Sequence, residues 1–427
     1  MTAISEKILN QFEKNLLSQA SPWSASIAPA YSGYSLLNLP GSLFKWFELP
    51  PLPHSPLQIP ELDELAAGVD QVVILLMDAL AYERMQNWMQ SDPRLHALQK
   101  DSLLVPLTSV TPCTTCNVLT TLWSGRSPVE HAVLGYELFL KEFGLVANMI
   151  THSPMALGHQ AGLLYQAGFD PETALPVETI GPALHEGGVD THSFLHYSIS
   201  NSGLSRMHYK SVEGHSFGGA ADLWIAVRQL AEKQREHRRL IWVYHGAIDG
   251  LSHRFGPDSE QAEAEFKAFL HTLQANFLER LSPEGRKQTL FLITADHGQV
   301  TTPKNPDFEL VNHPDLMQML HFAPTGEHRF IYLHPKPGKV DAVREYIHQA
   351  WPGLFHTVSA EEALEAGFFG PGIPDSTVAD RIGDLIAIPT NESAYLWWSN
   401  SPNPLLGRHG AFHPLEMLVP LLAMRLG

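Results

Sequence analysis

VDQVVILLMD, residues 69–78 of this 427-residue chain, is the segment that most directly indicates the fold class. Its apolar run is continuous and not alternating, which is typical of a parallel strand that is buried on both faces of its sheet. A helix-like stretch follows at 79–89. The two together predict the first strand–helix unit of an α/β protein.

Further strand-like runs alternate with helical patterns along the chain. Strands are predicted at 145–150, 193–198, 240–244 and 289–294, and helices at 220–236 and 259–281. Because such alternation builds parallel strands joined by helices, the sequence predicts an α/β fold with a doubly wound, mainly parallel sheet. Residues 1–66, rich in proline and serine, are predicted to be a lead-in that wraps the surface.

The pattern of apolar and polar residues changes after residue 302. Residues up to about 382 have the mixed pattern of a small α+β module, and apolar strand character returns at 384–389. The predicted organisation is therefore a catalytic core formed by 67–304 and 383–427. An α+β insertion at 305–382 is predicted to cap the crevice of that core.

Charge and composition limit the classes of partner. The net charge of −17 disfavours a nucleic-acid polymer, which is bound through lysine and arginine. A small phosphate-containing substrate is compatible if bound cations reverse the local field. We expect a cytoplasmic protein without a membrane span, because no apolar run is long enough and the first residues lack a secretory signal pattern. The oligomeric state is left open.

The two cysteines form the motif Cys113-Thr-Thr-Cys116. A redox pair or a zinc site is one interpretation of this spacing. A thiolate zinc site would need further ligands in a knuckle pattern, and the neighbouring sequence has none. We favour small, semi-buried residues at a tight turn.

Metal-ligand side chains follow the predicted strands at several separate points. They are Asp78, Asp249, His253, Asp296, His297 and, in GRHG near the C-terminus, His409. Taken singly, an aspartate at a strand end is more often a helix N-cap and a loop histidine is usually solvated. Taken together, three carboxylates converging on one sheet edge would repel each other unless cations lay between them.

The segment 111–131, TPCTTCNVLTTLWSGRSPVEH, predicts a tight turn that leads into a helix ended by Gly125. A hydroxyl at the start of that helix would lie beside free backbone N–H groups, which suit an anion. Metal coordination would activate such a hydroxyl as a nucleophile. The residues alone leave Thr114 and Thr115 open, each as nucleophile or as a plain N-cap.

These segments resemble the type I phosphodiesterase / nucleotide pyrophosphatase family of the alkaline phosphatase superfamily. The matching stretches are LLMDAL (75–80), TPCTTCNVLTTLWSGRSPVEHAVLGY (111–136), YHGAIDGLSHRFGP (244–257), TADHG (294–298) and GRHGAFHPLEMLVPLL (407–422). The resemblance implies an alkaline phosphatase-like fold with two divalent metal ions. The implied ligands are Asp249, His253 and His409 for one ion, and Asp78, Asp296 and His297 for the other, with Thr115 touching the second.

The resemblance also selects the nucleophile. In the family it stands nine residues before the Ser or Thr of the (S/T)G that ends the helix; here that residue is Ser124, which selects Thr115. Asn117 is the candidate for the family's substrate-binding asparagine, although it stands two and not three places after Thr115. The family's second phosphate-contacting asparagine has no counterpart, so the substrate preference is left open.

The implied activity is two-metal hydrolysis of phosphodiester or pyrophosphate bonds through a phosphothreonine intermediate. Zn²⁺ fits the N/O ligand set best, with Mn²⁺ as the alternative. The same site could serve a phosphomonoesterase, a phosphonate hydrolase or a phosphosugar mutase, whereas the sulfatase signature is absent. A catalytically silent metal-binding or ligand-binding protein is the alternative from another class, and the complete ligand set argues against it.

Overall fold

A computed structural model describes residues 3–14, 26–157, 161–399 and 401–427. The strands are β1 Gln71–Met77, β2 Leu103–Thr108, β3 Glu137–Leu140, β4 Leu145–Asn148, β5 Ser153–Pro154, β6 Val189–His196, β7 Glu213–Phe217, β8 Arg238–His245, β9 Thr289–Thr294, β10 Val300–Thr301, β11 Thr325–Glu327, β12 Phe330–Leu333, β13 Phe355–Ser359, β14 Leu385–Pro389, β15 Gly407–Arg408 and β16 Leu418–Arg425. The helices are α1 Ala3–Lys14, α2 Leu39–Trp46, α3 Pro60–Leu65, α4 Tyr82–Gln90, α5 Pro93–Lys100, α6 Thr115–Ser124, α7 Pro128–His131, α8 Leu163–Gln166, α9 Ile180–Glu186, α10 Gly203–His208, α11 Ala220–Ala231, α12 Ala247–Phe255, α13 Glu260–Leu273, α14 Pro283–Arg286, α15 Pro314–Met319, α16 Val340–Ala350, α17 Ala360–Glu365, α18 Val378–Ile382 and α19 Pro414–Met417.

The central sheet has the strand order β2-β16-β9-β1-β8-β6-β7. Strands β9, β1, β8, β6 and β7 pair in parallel, and β16 lies antiparallel between β2 and β9. Every residue of β1 is buried, as its continuous apolar run predicts. Because helices alternate with these strands along the chain, the predicted α/β fold with a mainly parallel sheet is confirmed.

A second sheet, with the order β13-β14-β12-β11-β3-β4-β5, is antiparallel throughout. Two strands that we expected in the parallel sheet belong to it: the run at 145–150, observed as β4, and the run at 384–389, observed as β14. That expectation was wrong because a short apolar run does not reveal its pairing partner. The boundaries of the 305–382 insertion stay a prediction, and strands on both sides of it contribute to the sheet.

The second sheet is covered on both faces. On β12, Phe330 and Tyr332 pack into the main hydrophobic core, whereas Ile331 and Leu333 pack into a smaller core under helix α16. This alternation follows from the two-residue period of a strand. The second sheet is therefore packed between the central α/β layer and its own helix.

The lead-in at 1–66 is more than a surface wrap in its described part. Helix α2 and the residues on either side of it bury Leu36, Leu43 and Phe47 in the main core. The backbone N–H of Ile27 also donates to the carbonyl of Phe412, 2.8 Å away. The expectation failed because proline-rich segments without periodicity can still supply core side chains. Among the described residues, no helix is long and apolar enough to cross a membrane.

Candidate metal centre and active site

Three adjacent parallel strands deliver most of the predicted ligands to one edge of the sheet. Asp78 follows β1, Asp249 and His253 lie on α12 directly after β8, and Asp296 follows β9. Because β8, β1 and β9 are neighbours, their carboxyl ends meet at one crevice. The structure brings together all six predicted ligands there, in two groups of three.

The first group consists of Asp249, His253 and His409. The Nε2 atom of His253 lies 3.2 Å from Asp249 Oδ1, and that of His409 lies 4.0 Å from the same oxygen. His253 Nδ1 donates to the Gly407 carbonyl at 2.8 Å, and His409 Nδ1 donates to the Cys113 carbonyl at 3.0 Å. Since a carbonyl only accepts, each ring in its neutral form carries its proton on Nδ1 and leaves Nε2 free to bind a metal ion.

The second group consists of Asp78, Asp296 and His297, all of them buried. His297 Nε2 lies 3.5 Å from Asp78 Oδ1 and 3.6 Å from Asp296 Oδ2. Its Nδ1 donates to the Gly298 carbonyl at 3.0 Å. Thr115 Oγ1 lies 3.2 Å from His297 Nε2, at the rim of this group.

Two carboxylate oxygens in the second group have no hydrogen-bond partner although they are buried: Asp78 Oδ1 and Asp296 Oδ2. Asp296 Oδ1, in contrast, accepts from the backbone N–H groups of Ala79 and His297 at 3.1 and 2.9 Å. A buried carboxylate oxygen without a partner is costly, and a divalent cation removes that cost. The residues present therefore fit a bound metal ion.

The charges of the site bear on the pKa values of its groups. Burial raises the pKa of Asp78 well above its usual range, and the carboxylates of Asp296 and Asp249 raise it further. Burial also acts to raise the pKa of Asp249, but the charge and hydrogen bond of His253 hold it below its usual range. Burial, followed by the charge of His297, lowers the pKa of His409. A neutral imidazole is the form that binds metal ions.

Helix α6 begins at Thr115, with Thr114 as its N-cap, and ends at Gly125, whose φ of 62° is the left-handed value that glycine tolerates. Thr115 is half-buried and lines the crevice. Thr114 is buried, and its hydroxyl donates to Glu327 Oε1 at 2.5 Å. The structure thus separates the two threonines that the residues alone could not distinguish.

Three residues that contact the predicted site residues were not predicted from the sequence. The Tyr244 hydroxyl donates to Asp78 Oδ2, and the Gln299 side chain donates to Asp249 Oδ1. Burial raises the pKa of Glu327, the acceptor for Thr114, to about 8. Tyr244 is the first residue of the stretch YHGAIDGLSHRFGP, and Gln299 comes directly after TADHG. Both therefore had a local signal in the sequence. Glu327 comes from the second sheet and had none.

A cavity of about 550 Å³ adjoins Asp78 and Thr115. Its lining includes the apolar side chains of Leu195, Phe217 and Phe269. None of the residues at 305–382, all of which the structure describes, lines this cavity. The segment that we predicted as a cap therefore does not form the wall of the cavity beside Thr115.

The structure does not bring Asn117 to that cavity. Its side chain is fully buried and donates to the Pro112 carbonyl at 2.7 Å, which stabilises the turn before α6. The cysteines of the CxxC motif are free and buried. Burial raises the pKa of both thiols well above the usual range, which suits packing residues and not a reactive pair.

Comparisons with solved structures show proteins of similar fold. Murine ectonucleotide pyrophosphatase / phosphodiesterase 5 is 18% identical, with a TM-score of 0.62 over 82% of this chain and 87% of that one. Its inactive threonine-to-alanine variant in complex with AMP is 18% identical, with a TM-score of 0.61 over the same shares. Phosphonoacetate hydrolase from Sinorhizobium meliloti 1021, in complex with phosphonoformate, is 16% identical, with a TM-score of 0.59 over 82% and 89%.

No curated protein sequence matches the chain. The similarity to the solved structures supports the alkaline phosphatase-like fold that the sequence predicts. The family model for type I phosphodiesterase / nucleotide pyrophosphatase matches residues 72–412, a range that contains all six ligand residues and both threonines. The chain therefore belongs to the type I phosphodiesterase / nucleotide pyrophosphatase family, whose chemistry is phosphoester hydrolysis.

Proposed function

We propose that this protein hydrolyses phosphodiester or pyrophosphate bonds of a small substrate through a covalent phosphothreonine at Thr115. The observation that carries the proposal is the position of the Thr115 hydroxyl, 3.2 Å from His297 Nε2. The same nitrogen lies 3.5 Å from Asp78 Oδ1 and 3.6 Å from Asp296 Oδ2, two buried carboxylate oxygens without a hydrogen-bond partner. A nucleophile next to groups that suit a cation is the arrangement that phosphoryl transfer needs.

Two divalent cations fit the ligand sets, Zn²⁺ best and Mn²⁺ as the alternative, since the ligands are imidazoles and carboxylates. Asp249, His253 and His409 would hold one ion. Asp78, Asp296 and His297 would hold the other. When bound, the ions would supply Lewis-acid charge that favours the threonine alkoxide and stabilises the departing oxygen.

The covalent step is a displacement at phosphorus. Thr115 Oγ1 gives its proton to solvent and forms a bond to phosphorus, while the bond from phosphorus to the leaving oxygen breaks and that oxygen takes up a proton from solvent. Water then cleaves the Thr115–phosphate ester, which restores the hydroxyl and releases phosphate or a phosphate monoester. The backbone N–H groups of the first turn of α6 point along the helix axis toward the transferred group and favour its negative charge.

The lining of the cavity supports a substrate with an apolar or aromatic group. Leu195, Phe217 and Phe269 offer the type of surface on which a nucleobase packs. The murine relative whose inactive threonine-to-alanine variant binds AMP supports the same class. The phosphonoacetate hydrolase with a similar fold supports the second candidate, a phosphonate hydrolase acting with the same site.

A hydrolysis panel separates these functions. Metal-replete protein is assayed with a nucleoside p-nitrophenyl phosphodiester, bis-p-nitrophenyl phosphate, p-nitrophenyl phosphate and phosphonoacetate. We expect the highest kcat/KM for the nucleoside diester, because its base would fill the apolar part of the cavity. Phosphonoacetate turnover without diester hydrolysis would select the second candidate, and no turnover of any substrate would favour a silent binding protein.

The metal content tests the two ligand groups separately. Protein purified without chelator is expected to carry one divalent ion in each group. Asp249→Ala and His297→Ala should each lose one ion by elemental analysis, because each removes one ligand from a different group of three. Lys45→Ala, a change at an exposed side chain that belongs to neither ligand group, serves as the control and should keep the full metal content. Unchanged metal content in both ligand variants would contradict the assignment.

A further inference from the structure

A third group of metal-ligand side chains lies outside the active site, at the edge of the central sheet. It consists of His192 on β6 and of Glu213 and His215 on β7. His192 is the register partner of Glu213 in the parallel pair, and His215 stands two residues further along β7. Because side chains alternate between the faces of a strand, Glu213 and His215 project from the same face. The backbone of two paired strands therefore preorganises the group.

The distances within the group match those of a metal site. His192 Nδ1 lies 3.1 Å from His215 Nε2 and 3.4 Å from Glu213 Oε2, and His215 Nε2 lies 3.5 Å from Glu213 Oε1. Tetrahedral ligands at about 2.0–2.1 Å from a zinc ion stand about 3.3 Å from one another. The two ring nitrogens and the two oxygens of the Glu213 carboxylate therefore stand at separations close to those of zinc ligands.

The surroundings keep both imidazoles neutral and oriented. Burial lowers the pKa of His192 and of His215, and Lys233 lowers that of His215 further. The ring of His215 stacks on that of Phe194 with centroids 4.6 Å apart, which restricts its orientation. Neutral imidazole is the form that ligates a metal ion, so neither histidine must lose a proton at neutral pH.

The charges near the group are mixed. Arg239 and Lys233 are the cations that act on the two histidines, and the carboxylates of Glu213 and Asp190 act in the opposite sense. The guanidinium of Arg239 is engaged by the carbonyls of Leu230 and Lys233, at 2.7 and 3.4 Å. The side chain of Glu213 is 66% exposed, so the group is open to an ion from solvent.

We propose that His192, Glu213 and His215 bind one divalent cation of the zinc class, with solvent completing the coordination. The ion would tie β7 to β6. Among the residues that the structure describes, β7 is the last strand of its sheet and pairs with β6 alone. A cross-strand metal ligand set would hold that edge strand in register. The site is independent of the proposed function, because it shares no residue with either group in the crevice.

The test uses the full-length protein and Zn²⁺ alone. Wild type, Glu213→Gln and His215→Asn are dialysed to equilibrium at the same free zinc concentration, and bound zinc per chain is measured. His237→Asn, which changes an exposed histidine outside the group, is the matched control. We expect Glu213→Gln and His215→Asn each to bind one zinc ion fewer than wild type, and His237→Asn to bind the wild-type number.

A chelator competition gives the affinity of the lost site. Loss of an outer partner alone weakens metal binding by about 10–100-fold, so loss of a ligand should weaken it by about tenfold or more. Hydrolysis rates are measured in parallel and should be unchanged in Glu213→Gln. Equal zinc binding by wild type, Glu213→Gln and His215→Asn would overturn the proposal. A zinc loss in His237→Asn as large as that in His215→Asn would also overturn the proposal, because it would mean that scattered surface histidines bind the zinc.

Discussion

Replacing Thr115 with alanine is expected to lower kcat by about three powers of ten or more, with both metal ions retained. The size follows from nucleophile knockouts in other covalent enzymes, where the loss is of this order or greater. Thr115 Oγ1 lies at the rim of the Asp78 group and lines the cavity. Because the three ligands of that group remain, metal analysis should give the wild-type content. The measurement is single-turnover and steady-state kinetics on the nucleoside diester.

Two matched variants separate the nucleophile from its neighbour. Thr115→Ser keeps the hydroxyl and should recover a large part of the rate. Thr114→Ala should keep kcat within about tenfold of the wild-type value, because the Thr114 hydroxyl is hydrogen-bonded to Glu327 and not free to attack. Its cost should appear in stability, about 1–3 kcal/mol, since buried Glu327 loses a donor.

Acid quenching during turnover of the nucleoside diester, followed by peptide mass spectrometry, should place a nucleoside-phosphate adduct on Thr115. Near-normal turnover of Thr115→Ala would rule out this residue as the nucleophile. If Thr114→Ala were inactive in that case, the nine-residue spacing to Ser124 would have selected the wrong threonine.

The position of the crevice could be predicted because its candidate ligand residues come shortly after strands that are easy to recognise in the sequence. Asp78 ends a continuous apolar run, and Asp296 follows directly after another. Parallel strands of this kind bring their carboxyl ends together, so the order of the motifs in the chain was sufficient to predict a shared site. No detailed knowledge of packing was needed for that step.

Other parts depend on contacts between distant segments and had no local pattern. Strands β2 and β16 carry Pro106 and Pro420, which face each other as register partners. A proline inside an apolar run weakens the sequence signal for a strand within a sheet. Neither β2 nor β16 was among the predicted strands. Glu327 reaches Thr114 across 213 residues of sequence, and Tyr244 reaches Asp78 across 166. Contacts of this kind form only when the two sheets pack together, so the local sequence does not predict them.

Arg329→Met is expected to lower the free energy of unfolding by about 3–5 kcal/mol, the usual cost of breaking a buried ion pair by removing one partner. Arg329 donates to both carboxylate oxygens of Glu416, at 2.9 and 2.8 Å, and both side chains are almost completely buried. It also donates to the carbonyls of Asn391 and Ala394. Methionine would fill much of the volume but leave the Glu416 charge without its partner.

A surface pair with the same separation provides the control. Lys141 and Asp380 also stand 2.8 Å apart, but their side chains are 67% and 39% exposed. Lys141→Met should cost no more than about 1 kcal/mol, because water screens the exposed pair. Chemical denaturation of the two variants therefore compares burial at a constant N–O distance.

The double variant Arg329→Met/Glu416→Gln tests the cause of the loss. Glutamine removes the unpaired charge and can still accept from the Ala411 N–H, which now lies 3.0 Å from Glu416 Oε1. We expect the double variant to be more stable than Arg329→Met alone, which is the signature of a coupled pair. Equal stability of the single and double variants would mean that lost packing, and not the unpaired Glu416 carboxylate, causes the loss of stability. Because the backbone carbonyl of Glu416 also accepts from Gly298, next to the proposed metal ligand His297, we expect Arg329→Met also to weaken binding of the proposed metal ion in the crevice, measured as metal content.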